Sequence, residues 1–116
     1  MKLTIGHIYP DLLNLYGDRG NIRCFQKRLA WRGIEPEVEV ICAGDSIDFS
    51  RLDLILLGGG SDREQELACQ YLKRVKYGFR RYVEGGGVVL AICGGYQLLG
   101  NYYRTEHTAI EGLGIL

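Results

Sequence analysis

The chain has no excess of charge of either sign: its Lys and Arg total 14 and its Asp and Glu total 14. Nothing in that balance points to nucleic acid or an anionic membrane as a partner. No apolar run approaches the roughly 18 residues that a membrane span requires. The opening Met1 to His7 carries one Lys and too short an apolar stretch for a secretion signal. A cytoplasmic protein is the expectation. Histidine is scarce, His7 and His107 being the whole supply. The cysteines, Cys24, Cys42, Cys69 and Cys93, show neither Cys-x-x-Cys spacing nor clustering with histidine. That pattern argues against a zinc site or a redox pair, so no metal and four free thiols are expected. The glycines do not form a Gly-x-x-x-x-Gly-Lys-Ser/Thr phosphate loop, and there are no repeats or low-complexity linkers.

What the chain does have is a core-forming composition, 47% hydrophobic, in a length suited to one compact domain. Leu3 to Tyr9 reads as a largely apolar, central strand. Asn21 to Arg32 repeats Ile22, Phe25 and Leu29 at helical spacing, and Gly33 is a stop. Glu37 to Ile41 alternates as an edge strand does, and Asp53 to Leu57 is a short buried strand. Ser61 with Glu64 three residues on has the form of a capping box. Leu67, Tyr71, Val75, Phe79 and Val83 then recur every four residues, which predicts one long helix ended by Gly85 to Gly87. Lys73, Arg74, Lys76, Arg80 and Arg81 fall on its solvated side. Tyr103 to Thr108 reads as a hairpin or loop, and Ile110 to Leu116 as a further strand. Cys24, Cys42 and Cys69 lie in apolar or amphipathic segments, where cysteine behaves as a small buried hydrophobe. Strands alternating with helices imply βαβ crossovers and a mostly parallel sheet covered on both faces.

The most telling segment runs from Val88 to Gly100. A β-branched stretch ends on Cys93, Gly94 and Gly95 follow, and Tyr96-Gln97-Leu98-Leu99 continues as a helix. This is the order of a nucleophile elbow, a sharp strand-to-helix turn that lifts a reactive side chain above the sheet. The helix that begins there aims its free N–H groups at the sulfur, a setting in which cysteine becomes a nucleophile. The Gly94 N–H is a natural oxyanion donor, and Gly59 or Gly60 of the triple-glycine turn could supply a second. Ligands of parallel sheets sit at the strands' carboxyl ends, where both the glycine turn and Cys93 are expected. A general base is harder to find. His7 reads as a packed strand or crevice residue, and His107 sits in a polar loop that does not follow a strand end.

Ile92-Cys93-Gly94-Gly95-Tyr96-Gln97, together with Gly58-Gly59-Gly60-Ser61-Asp62-Arg63-Glu64-Gln65, resembles the class I glutamine amidotransferases of the cobyric-acid-synthase-like branch. The opening Tyr9-Pro10-Asp11-Leu12-Leu13-Asn14-Leu15-Tyr16-Gly17-Asp18-Arg19-Gly20-Asn21-Ile22 narrows the resemblance to glutaminase subunits of lipid II isoglutaminyl synthases. It implies an α/β, flavodoxin-like three-layer sandwich whose C-terminal part lies beyond Leu116, so that residues 1–116 are the N-terminal part of the amidotransferase domain. It implies L-glutamine as substrate, Cys93 as nucleophile, Gly94 with Gly59 and Gly60 as oxyanion groups, and Gln97 at a position that contacts glutamine. The implied partner is a MurT-like Mur-ligase subunit that carries the ATP; no cofactor is expected on this subunit. The resemblance also places the catalytic histidine and its acidic partner after Leu116, so these 116 residues alone are expected to lack turnover. Two alternatives stand beside this reading: the same chemistry serving another acceptor, such as a corrinoid precursor carboxylate, or an inactive interaction module. Ala91 departs from the glycine frequent two residues before such nucleophiles, a mild change.

Overall fold

A computed structural model describes residues 1–14, 18–105 and 108–115. Strands β1 (Lys2–Ile8), β2 (Glu35–Ile41), β3 (Leu54–Leu57) and β4 (Val88–Ala91) form one sheet in the order β2-β1-β3-β4, every neighbouring pair parallel. This is the order of the flavodoxin-like doubly wound fold, with the switch in strand direction of travel between β1 and β3. β1 is central and β2 lies at an edge, as their sequence patterns predict.

Alternation along the strands divides the core in two. Ile5, Leu54, Leu56 and Leu90 pack with Ile22, Phe25 and Leu29 of helix α1 (Asp18–Trp31) on one face. Ile8, Ile55, Leu57, Val89 and Ala91 pack on the other with Ala68, Cys69 and Leu72 of α2 (Asp62–Arg74) and Phe79 of α3 (Lys76–Glu84). Because successive strand residues point to opposite faces, each short apolar run feeds both layers. The three-layer sandwich expected from the sequence is present.

Four local readings need correction. α1 begins at Asp18, ahead of the expected Asn21. The single long helix is two, broken at Val75 (φ −111°, ψ 13°). A repeat of every fourth residue overshoots a helical turn by about 40° per step, so the stripe winds off one face. Accordingly Leu67 is 41% exposed, while Gln65, Ala68, Cys69 and Leu72 are buried. The break lets Phe79 reach the core beside Phe49, with ring centroids 5.6 Å apart. Cys24 is exposed and Cys42 half-buried; Cys69 alone of the three is buried, its thiol donating to the Glu111 carbonyl at 3.2 Å. Cys24 lies off the α1 stripe that meets the sheet.

The last strand also differs. β5 (Tyr102–Arg104) and β6 (Ala109–Glu111) form a separate antiparallel hairpin. Beyond Glu111 the backbone turns back onto helix α4 (Gly94–Leu99), where Leu113 N–H donates to Leu98 O at 2.8 Å and Ile115 N–H to Leu99 O at 2.9 Å. The final carbonyls of a helix have no acceptor duty within it, and this segment meets that need instead of extending a sheet. No helix among the described residues is long and apolar enough to cross a membrane.

Candidate active site

Three loops meet at the carboxyl edge of the sheet. After β4, Cys93 adopts φ 54°, ψ −117° and caps α4 at its N-terminus. Only Tyr9 shares a positive φ among the described non-glycine residues, and it ends β1 at the same edge. Such conformations are disfavoured for side-chain-bearing residues and persist where surrounding structure holds them. Here the hold is visible. Ile92 N–H donates to Leu57 O at 2.9 Å, Gly95 N–H to Ile92 O at 3.0 Å, and Tyr96 N–H to Cys93 O at 3.1 Å. A side chain on Gly95 would overlap the Leu57 and Gly58 carbonyls. Cys93 itself is exposed. Gly94, the first residue of α4, has an N–H that its own helix cannot use, so it is available beside the sulfur.

The glycine loop follows β3 directly, and Gly58, Gly59 and Gly60 are all buried. Register places Leu57 opposite Ala91, so this loop and the elbow leave the sheet side by side. A Cβ on Gly60 would stand 2.8 Å from the Leu12 carbonyl, which seats the loop after β1 against it. That first loop is anchored in turn by the Asp11 carboxylate, which accepts from Ala43 N–H at 3.3 Å. The Gly60 N–H donates to Gln65 Oε1 at 3.2 Å. Gln97 is exposed on α4, and its Oε1 lies 3.4 Å from Gln65 Nε2. The structure therefore brings Cys93, Gly94, the glycine loop and Gln97 to one edge.

Gln65 is the residue that sequence reasoning passed over. It was legible as part of the Gly58-to-Gln65 motif, but nothing in its spacing marks a polar side chain that is 4% exposed. Tyr103, 9% exposed, joins the group through its hydroxyl, 3.4 Å from Gln65 Nε2, and burial raises its pKa above the ordinary phenol value. Tyr9 is buried, with its hydroxyl pushed up to about 12 by desolvation. Tyr96 and Tyr102 are exposed, and Tyr16 lies outside the described residues.

His7 is brought elsewhere. It pairs with Leu56 of β3, which pairs with Leu90 of β4, so it stands two strands, roughly 10 Å, from the elbow strand. It lines a cavity of about 290 Å³ with Arg19, Ile22, Arg23 and Val38, on the α1 face. Burial, reinforced by the Arg19 charge, lowers its pKa below the ordinary histidine value. The expectation of a packed residue holds. His107 lies outside the described residues. Lys73, Arg74, Arg80 and Arg81 are exposed, as a solvated face requires, while Lys76 is half-buried.

Comparison with known proteins agrees with this geometry. A family model described as the CobB/CobQ-like glutamine amidotransferase domain matches residues 4–116. The chain is 46% identical over 116 residues to the lipid II isoglutaminyl synthase (glutamine-hydrolyzing) subunit GatD of Staphylococcus aureus (strain N315), covering 99% of this chain and 48% of that one. With the same-named subunit of Streptococcus pneumoniae the identity is 40%, covering 99% and 45%. A cobyric acid synthase of Listeria innocua is 33% identical over 89 residues, 72% of this chain and 17% of that one. The chain thus spans about half the length of the two GatD subunits it matches. A crystal structure of a peptidase from an acI-B1 Actinobacterium superposes with a TM-score of 0.63 at 17% identity, over 97% of this chain and 51% of that one, a likeness of fold.

Proposed function

The chain belongs to the CobB/CobQ-like glutamine amidotransferase domain family, and from that footing we propose that it carries the nucleophile of a glutaminase. The observation behind the reading is Cys93, exposed at a positive φ between β4 and α4. Its sulfur attacks the side-chain amide carbon of L-glutamine. The carbonyl π electrons move to oxygen, and the resulting oxyanion takes the Gly94 N–H. With the Gly60 N–H engaged by Gln65, the second donor falls to Gly59. A base outside the described residues takes the thiol proton as the sulfur attacks. The oxyanion then collapses to re-form the carbonyl, the C–N bond breaks, and that same proton goes to the nitrogen, which leaves as ammonia. Water hydrolyses the γ-glutamyl thioester to glutamate and frees the thiol. Gln97, exposed one helical turn after Cys93, faces the glutamine.

The ammonia is passed to a MurT-like Mur-ligase partner, which uses ATP to amidate the D-glutamate α-carboxyl of lipid II. Support for this acceptor over a corrinoid carboxylate comes from the match to two GatD subunits across 99% of the chain, against 72% for a cobyric acid synthase. The test is glutamate release from L-glutamine by the protein with its partner, alongside Cys93→Ala. The expected result is turnover abolished in the variant; retained turnover would remove Cys93 from the mechanism. Supplying Mur-ligase-like and corrinoid synthetases in turn, and following which acceptor gains nitrogen, separates the two acceptors.

A further inference from the structure

We propose that Gln65 is the positioning residue of this site, its side-chain amide holding the glycine loop at a set orientation to the elbow; the assignment rests on the glutaminase reading. Gln65 is 4% exposed, and a buried amide must find partners for both its ends. It does so on three separate elements. Oε1 accepts from the Gly60 N–H at 3.2 Å, and Nε2 stands 3.4 Å from Gln97 Oε1 and 3.4 Å from the Tyr103 hydroxyl. One amide therefore ties the loop after β3 to α4 and to β5. Its remaining side rests on Gly94, where any Cβ would overlap it, so the residue after the nucleophile leaves the space that Gln65 fills.

Consecutive glycines have the widest backbone freedom of any residues, whereas an oxyanion hole works only if its donors are already aimed when charge develops. In a trans peptide the N–H and the preceding carbonyl point to opposite sides. Fixing the Gly60 N–H on Gln65 thus also fixes where the Gly59 carbonyl points, and removes one rotation from the loop. Gln65 itself is held at the first turn of α2, whose cap is Ser61. A side-chain amide can accept from Gly60 and donate toward Gln97 and Tyr103 at once. Glutamate keeps the acceptor and loses the donor; leucine keeps the shape and loses both.

Amide hydrogen exchange on the labelled chain reads this directly. In Gln65→Leu the Gly60 amide is expected to exchange about tenfold faster, the scale of one lost hydrogen bond, with β3 core amides at Ile55 and Leu56 unchanged. In Gln65→Glu the Gly60 protection is expected to return while the signals of Gln97 and Tyr103 move. Unchanged Gly60 exchange in the leucine variant overturns the proposal, and so does an equal rise at Ile55 and Leu56, which would make Gln65 a packing residue. In the glutamine-hydrolysing complex, Gln65→Leu is expected to lower kcat by about ten- to a hundredfold at little-changed KM, as misaimed oxyanion donors do. A raised KM with kcat intact would overturn it. Failure of the wild-type complex to hydrolyse glutamine would sink the glutaminase reading and leave the exchange result to decide the positioning.

Discussion

Gly95 shows how tightly a single residue is specified here. The Leu57 and Gly58 carbonyls occupy the place its side chain would take, and backbone carbonyls cannot swing aside as a flexible side chain can. Gly95→Ala is expected to destabilise the fold by about 1–3 kcal/mol, the usual scale of overpacking. Urea denaturation measures it, and an unchanged midpoint would mean that the elbow does not lie against β3. Gln97 and Gln65 make a complementary pair of residues. Gln97 was singled out by the family resemblance, and its place one turn after Cys93 follows from helical spacing, because i and i+4 share a face. The burial of Gln65 depends on three other segments meeting around it, and no local pattern carries that.

At the scale of elements, the start of α2 determines where the site's polar hub stands. Ser61 Oγ accepts from Glu64 N–H at 3.3 Å and donates to Glu64 Oε1 at 2.9 Å, so Ser61 caps the helix as read from the sequence. The Glu64 carboxylate, however, meets the Ser61 hydroxyl rather than the Ser61 backbone N–H that a full capping box would use. Ser61→Ala should cost about 1 kcal/mol, seen as a lower urea midpoint, while Ser61→Asp, still able to cap, should keep most of it. Equal losses in both variants would show that the hydroxyl's contact with Glu64, not capping, carries the effect. The break between α2 and α3 belongs to this scale too. Period-four spacing identifies a helix but not whether it stays straight, and the burial of Phe79 beside Phe49 decides that.

At the scale of the whole molecule, the central strand of the two-faced sheet buries a titratable group, His7. His7 is 4% exposed and its Nε2 has no hydrogen-bond partner among the described residues. Its folded pKa lies below the ordinary value, so the unfolded chain binds this proton more readily than the folded one. Its contribution to stability is then complete above about pH 6.5, the unfolded value, and is lost as pH falls from there toward the folded pKa. Urea midpoints measured above and below that value should drop on the acid side for the wild type and drop less for His7→Phe. An identical acid loss in the variant would assign the effect to other groups.

Order along the chain was enough to determine the parallel sheet, its two helical layers, the elbow at Cys93 and the glycine loop, because alternation, helical spacing and turn residues are local properties. Cys93 and Gly94 were legible as candidates for the same reason, and Gln97 through the resemblance of the segment that holds it. The place of His7 away from the elbow, the bend at Val75, the hairpin with the return of Gly112 to Ile115 onto α4, and the role of Gln65 were decided only by tertiary structure. Each of these depends on which distant groups compete for one buried space or one unpaired backbone partner, and that competition exists only once the chain has folded.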